Sequence, residues 1–172
     1  MDKFNNPLDL AQISSTPSNP ASGYLRIYAK SNGLFYGLDA SGKETLLSAD
    51  TFVIPFIIDG GGSVITTGSK GGIYIPFGYT FIEWTMASID PLTISGSIVM
   101  DLWTDSYANF PPTVADTITA SAKPTISSST KGQSSTLTGW TINQAAGRWL
   151  YANVDSVTSL KLVALNLKCI KV

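Results

Sequence analysis

From Phe52 onward, apolar and polar residues alternate in short runs separated by glycine- and proline-bearing turns, and no long stretch has the apolar spacing of an amphipathic helix. A period of two places successive side chains on opposite faces of a strand, so this part of the chain is constrained to sheets. Ser97 to Thr104 sets Ile98, Met100 and Leu102 against Val99, Asp101 and Trp103, and Tyr79 to Ala87 sets Phe81, Glu83 and Thr85 against Ile82, Trp84 and Met86. These two segments read as central strands. Phe52 to Ile58 is nearly all apolar, but Pro55 cannot donate to a ladder and assigns that strand to an edge or a bulge. Ser63 to Thr67 and Gly71 to Phe77 read as further strands, Asp105 to Thr117 as a long ordered loop around Pro111-Pro112, and Thr125 to Ser128 and Ser134 to Trp140 as polar edges. Gly147 to Val154 and Val157 to Val172 close the chain, the latter with Val163, Leu165, Leu167 and Cys169 on one face. Leu160, Leu162 and Ala164 make its other face apolar too, as for a central strand or one that meets a neighbouring subunit. About eight strands with turns between them predict an all-β fold in which residues 51–172 form a β-sandwich of jelly-roll type.

Ahead of this domain the character of the chain changes. Residues 1–22 are polar and proline-punctuated, with apolar points at Phe4, Leu8, Leu10 and Ile13, and read as an extended anchoring arm that is ordered most easily on a partner surface. Residues 23–50 read as a small β-meander. Tyr24 to Lys30 alternates, Asn32-Gly33 tolerates positive φ, Leu34 to Leu38 runs back, and Ala40-Ser41-Gly42 turns into Lys43 to Leu47. So small a sheet buries too little apolar surface to be independently stable, so it must lean on something.

Composition removes several functions. A charged fraction of 13% and a net charge of −1 give no basic field to gather nucleic acid, and Lys and Arg are scattered. Mean hydropathy is +0.17, yet no apolar run approaches the ~18 residues of a membrane span. The first residues lack the basic and apolar regions of a secretory signal, which predicts a protein assembled in a cytoplasm. With no histidine and one cysteine, the usual general base, the usual catalytic triad and any Cys/His zinc site are missing. Cys169 reads as a small buried hydrophobe.

Carboxylates and aromatics remain. Asp101 and Asp105 stand about 13 Å apart along one strand, too far for paired glycosidase chemistry. Asp101, Asp105 and Asp116 have no EF-hand-like spacing for calcium. No catalytic residue, metal or cofactor is therefore assigned. Trp84, Trp103, Tyr107, Phe110, Trp140 and Trp149 could stack on sugars, although large aromatics more often fill cores and interfaces. Tyr107 and Trp140, read as loop residues, are the candidates for glycan stacking. Gly60-Gly61-Gly62 and Gly71-Gly72 are turn glycines, not a phosphate loop.

The stretch TPSNPASGYLRIYAKSNGLFYGLDASGKETLL, Thr16 to Leu47, resembles a segment near the N-terminus of many tailed-phage fibre and virion-decoration proteins. The later segments IPFGYTFIEWTM, GSIVMDLWTDSYANFPPTVADTITASAKPTISSSTKGQSSTLTGW and NVDSVTSLKLVALNLK resemble a domain recurring in phage structural proteins, to which no catalytic residues belong. The resemblance implies a non-enzymatic virion protein, with the hairpin residues Leu25, Ile27, Tyr28, Phe35 and Tyr36 anchoring it together with the arm. The short chain without a fibrous shaft favours a decoration or cement protein on the capsid surface, bound to the major capsid protein or another virion protein, and a homotrimer. The alternative is a tail-fibre or baseplate protein that binds host surface glycan.

Overall fold

The two-residue alternation is realised as thirteen strands in three sheets among the residues that the structure, a computed structural model, describes: 10–31, 33–47, 50–92, 95–120 and 122–172. The chain divides into two compact units, Met1–Asp50 and Thr51–Val172. Among the described residues the only helical elements are two short 3-10 turns, Tyr107–Asn109 and Val114–Asp116.

In the first unit, β1 (Gln12–Ile13), β2 (Arg26–Lys30), β3 (Phe35–Leu38) and β4 (Glu44–Leu46) form one sheet in sequence order. The last three make the expected antiparallel meander, and Gly33, at φ +79°, supplies a left-handed turn residue. Asn32, the other half of the expected turn, lies outside the described residues. The described part of the expected arm does not project as an extended segment. Gln12 and Ile13 pair in parallel with Ala29 and Lys30, the Thr16 hydroxyl donates to Glu44 at 2.8 Å, and Arg26 donates to the Ser18 carbonyl at 2.5 Å. These bonds, made within the unit, offset part of the entropy of ordering the segment. Phe4 and Leu8 lie outside the described residues.

In the second unit, β5 (Thr51–Asp59), β7 (Tyr79–Ser88), β10 (Lys131–Ser134), β11 (Asn143–Gln144) and β13 (Leu162–Lys171) share a sheet of order β10-β7-β13-β5, with β11 also on β7. β6 (Gly68–Ile75), β8 (Gly96–Ser106), β9 (Thr125–Ser129) and β12 (Arg148–Thr158) form another, of order β6-β12-β8-β9. One continuous core joins the two sheets: Ile54, Phe56, Phe81, Met86 and Leu165 from the first meet Met100, Leu102, Leu150 and Val154 from the second. Full burial of each such side chain contributes about 1.5–3 kcal/mol, so the facing of two sheets is what stabilises this unit. Pro55 sits on edge strand β5, as its missing N–H requires.

Three details differ from the simple alternation. Ser63 to Thr67 forms no strand, being a loop held by the Ile65 N–H on the Leu160 carbonyl. Of Ser134 to Trp140, only Ser134 belongs to a strand. In β7, Lys168 pairs with Glu83 but Cys169 with Phe81, so Ile82 is an extra residue in a bulge. Phe81 and Trp84 consequently both face the core, where strict alternation sends them to opposite faces.

Candidate functional site

The small sheet of the first unit has two unlike faces. Cross-strand pairing sets Arg26, Tyr28, Lys30, Tyr36, Leu38, Glu44 and Leu46 on one side. There Glu44 accepts hydrogen bonds from Tyr28, from Lys30 at 2.7 Å and from Thr16 at 2.8 Å, while Lys30 lies 4.4 Å from the Tyr36 ring centroid. The Lys30 and Tyr28 hydrogen bonds hold the Glu44 carboxyl down at about 2. Tyr28 and Leu38 are buried on this side, and Asn19 packs against Gly42. The proline-bearing segment thus closes this face.

The opposite side carries Ile27, Ala29, Phe35, Gly37 and Thr45, with Leu25 and Leu47 flanking Gly37. None of these is charged. Leu25 is 60% exposed, Ile27 54%, Leu47 50% and Phe35 42%. The five expected anchoring residues are therefore divided: Leu25, Ile27 and Phe35 lie on the exposed apolar face, whereas Tyr28 and Tyr36 are ring-stacked at 5.9 Å on the closed one. Leu47 joins the exposed face beyond the five expected residues, and its spacing of two from Thr45 is the signal that places it there.

A second surface is the outer face of the β6-β12-β8-β9 sheet. β12 turns Trp149 and Tyr151 outward, β6 adds Tyr74, and Phe110 of the loop after β8 packs on both β12 rings, at 5.0 Å from Trp149 and 6.0 Å from Tyr151. Gly72 is required beneath this cluster, since a Cβ there would collide with the Tyr151 ring. Tyr74, Phe110 and Tyr107 are exposed.

The same face contains the buried Asp101. Its carboxylate accepts from Thr117 at 2.6 Å, Thr119 at 2.5 Å and the Trp103 indole at 3.0 Å, and Lys123 lies 3.1 Å away while also bonding Asp155. Burial opposes ionisation, but these hydrogen bonds outweigh it and keep the carboxyl below the usual range. Asp101 is thus a latch that holds 117–119 and Lys123 against β8, where Thr117 bridges Trp103. Asp105 accepts instead from the Ser106 N–H and Asn109, and Asp116 caps the second 3-10 turn through Thr113. The three carboxylates therefore serve separate structural bonds, and no cluster of three metal-ligating side chains occurs among the described residues.

Of the two expected glycan-stacking residues, Tyr107 is 75% exposed, but Trp140 is 8% exposed. Its indole N–H donates to the Ala122 carbonyl at 2.8 Å and its ring meets Phe81 edge-on, so it presents no face to a sugar. Trp140 is a core residue because the loop that carries it folds inward. Leu10 and Ile13 are half-buried. Cys169 is buried, and burial pushes its thiol up to about 12.

No family model matches the chain, and comparison with curated proteins and with solved structures gives no match either. The functional reading therefore rests on these surfaces and on the sequence.

Proposed function

We propose that this chain is a non-enzymatic structural protein of a tailed-phage virion, a decoration or cement protein that binds the outer capsid through its first unit and stabilises capsomer contacts. The observation that carries this reading is the uncharged apolar face of Leu25, Ile27, Phe35 and Leu47 on a small sheet whose other face is closed by its own polar network. Exposed contiguous apolar surface marks an interaction site. The resemblance of Thr16 to Leu47 to phage attachment segments supports the same assignment.

For the second unit we propose a jelly roll. The order β5-β13-β7-β10 opposite β6-β12-β8-β9 supports it, as do the connections that cross between sheets from β5 to β6, β6 to β7, β7 to β8 and β12 to β13. Such double-sheet rolls occur in viral capsid and lectin domains. A homotrimer belongs to this proposal, and a monomer at micromolar concentration in sedimentation, both free and when released from particles, counts against it.

The direct test labels the protein with an antibody on intact particles in the electron microscope. Label over the head supports the cement reading, and Ile27→Asp should then abolish capsid decoration while leaving the fold intact. Full occupancy by that variant removes the anchoring role of the face.

A second reading, a fibre or baseplate protein that binds host glycan, is favoured by the aromatic surface of Tyr74, Phe110 and Trp149, with the exposed Tyr107 in the same loop as Phe110. Label confined to the tail, together with glycan-array binding lost in Phe110→Ala, would put this reading first.

A further inference from the structure

At the end of the second unit where β12 begins, the two sheets are joined by backbone. The Ile118 N–H bonds the Leu102 carbonyl of β8, the Thr141 N–H bonds the Ile118 carbonyl, and the Phe81 N–H of β7 bonds the Ile142 carbonyl. Beside this seam lies a cavity of about 270 Å³, lined by residues that include Thr104, Asp116, Thr141, Asn143, Gln144 and Arg148. The volume is just under the ~300 Å³ lower bound of ordinary small-molecule sites, a size for one ring and not for a chain.

The lining is polar, and its hydrogen-bonding capacity is only partly used. Asn143 accepts from the Thr80 hydroxyl through its carbonyl oxygen, which leaves its amide N–H groups as donors. Gln144, buried, donates to the Thr141 carbonyl at 2.6 Å, which leaves its own side-chain carbonyl as an acceptor. Arg148 makes one long contact, 3.4 Å, to the Thr104 carbonyl. One buried hydroxyl completes the set. Thr104 Oγ1 of β8, on a residue 6% exposed, lines the cavity and has no hydrogen-bond partner among the described residues. Buried hydroxyls are satisfied in native proteins as a rule, and a site with such groups discriminates in favour of a ligand that pairs them.

The charge balance selects the ligand class. The guanidinium of Arg148 shares the cavity with the carboxylate of Asp116, so an anion meets opposition as well as attraction. A molecule whose groups both donate and accept is matched throughout. We propose that this cavity is a binding site for one neutral, hydroxyl-rich sugar ring, held by Arg148, Asn143 and Gln144 together with the Thr104 hydroxyl. The site requires neither the apolar anchoring face nor the aromatic surface, so it stands whichever reading of the whole protein is correct.

The test is a titration of the full chain, labelled for amide NMR, with glucose, galactose and N-acetylglucosamine, and separately with inorganic phosphate and N-acetylneuraminic acid. Millimolar binding of at least one neutral sugar is expected, with shifts centred on the amides of Thr104, Thr141 to Gln144 and Arg148. Thr104→Val, which keeps shape and removes the hydroxyl, should weaken that binding about fivefold to tenfold with the remaining amide spectrum unchanged. If Thr104→Val does not fold, the wild-type titration decides alone. Shifts with the anions only, or no shifts with any probe, overturn the proposal. Shifts centred on Tyr74, Phe110 and Trp149 overturn it too, while supporting the aromatic surface as the glycan site. Crystals soaked in the sugar that show ordered water alone in the cavity likewise overturn it.

Discussion

The two units meet one problem, a sheet with an apolar face to hide, by different means. In Thr51–Val172 two sheets cover each other, and residues such as Met100, Leu150 and Leu165 have no measurable exposure. Among the described residues of Met1–Asp50 there is one sheet, and its covered side combines hydrogen bonds to Glu44 with the buried Tyr28 and Leu38. A unit of that size has too little chain to cover both sides of a sheet. Its second side leaves Leu25, Ile27 and Leu47 at least half exposed, and it is the surface proposed above to meet a partner. Packing should thus dominate the stability of the larger unit and charge that of the smaller.

The largest expected effect tests the packed unit. Leu165→Ala, at a fully buried position of central strand β13, should cost about 2–5 kcal/mol. Urea unfolding followed by tryptophan fluorescence reads this selectively, because Trp84, Trp103, Trp140 and Trp149 all lie in the second unit. A loss under about 1 kcal/mol would mean that the core is not held by close packing. Next comes Asp101→Asn, expected to cost about 2 kcal/mol in the same measurement, since Lys123 is partly exposed and recovers some hydration. The folded Asp101 pKa lies below the ordinary value of 3.8, so its contribution is complete above that pH and is lost as the pH falls through the folded value. In the variant this part of the acid dependence should vanish.

In the smaller unit, Glu44→Gln should speed hydrogen exchange across β2 to β4 and leave the tryptophan-detected transition unmoved. The Glu44 pKa falls from an ordinary 4.5 to about 2 on folding, so its contribution is complete above about pH 4.5 and declines toward pH 2. Exchange in β2 to β4 that is flat over that interval, once corrected for the intrinsic pH dependence of exchange, would show that packing, not charge, holds this sheet. The smallest effect concerns Cys169. A maleimide should leave it unmodified in native protein near neutral pH, because the thiol is buried with a pKa of about 12. Rapid labelling would reveal opening of β13, at the centre of the packed unit.

Much of the fold was legible because alternation is local. Ile98, Met100 and Leu102 of β8, and Leu150, Ala152 and Val154 of β12, are buried as their spacing requires, and Pro55 marked an edge. The exposed apolar face of the small sheet was legible only in part. Alternation within Tyr24 to Lys30 already set Leu25 and Ile27 opposite Tyr28, but the cross-strand register that brings Phe35 and Leu47 to their side came only from the structure. No local pattern announced the bulge at Ile82, because an extra residue is defined only against a partner strand.

By itself, the sequence determined that this protein is built from strands, where most of them run, and which side chains within one strand share a face. These follow from the two-residue period and from what glycine and proline allow at turns and edges. Only the tertiary structure decided that Trp140 is buried, that Asp101 latches a loop separated from it by more than a dozen residues, and that Thr104, Gln144 and Arg148 surround one cavity. Each depends on strand pairings between residues far apart in the chain, and their energies come from neighbours that no local pattern specifies.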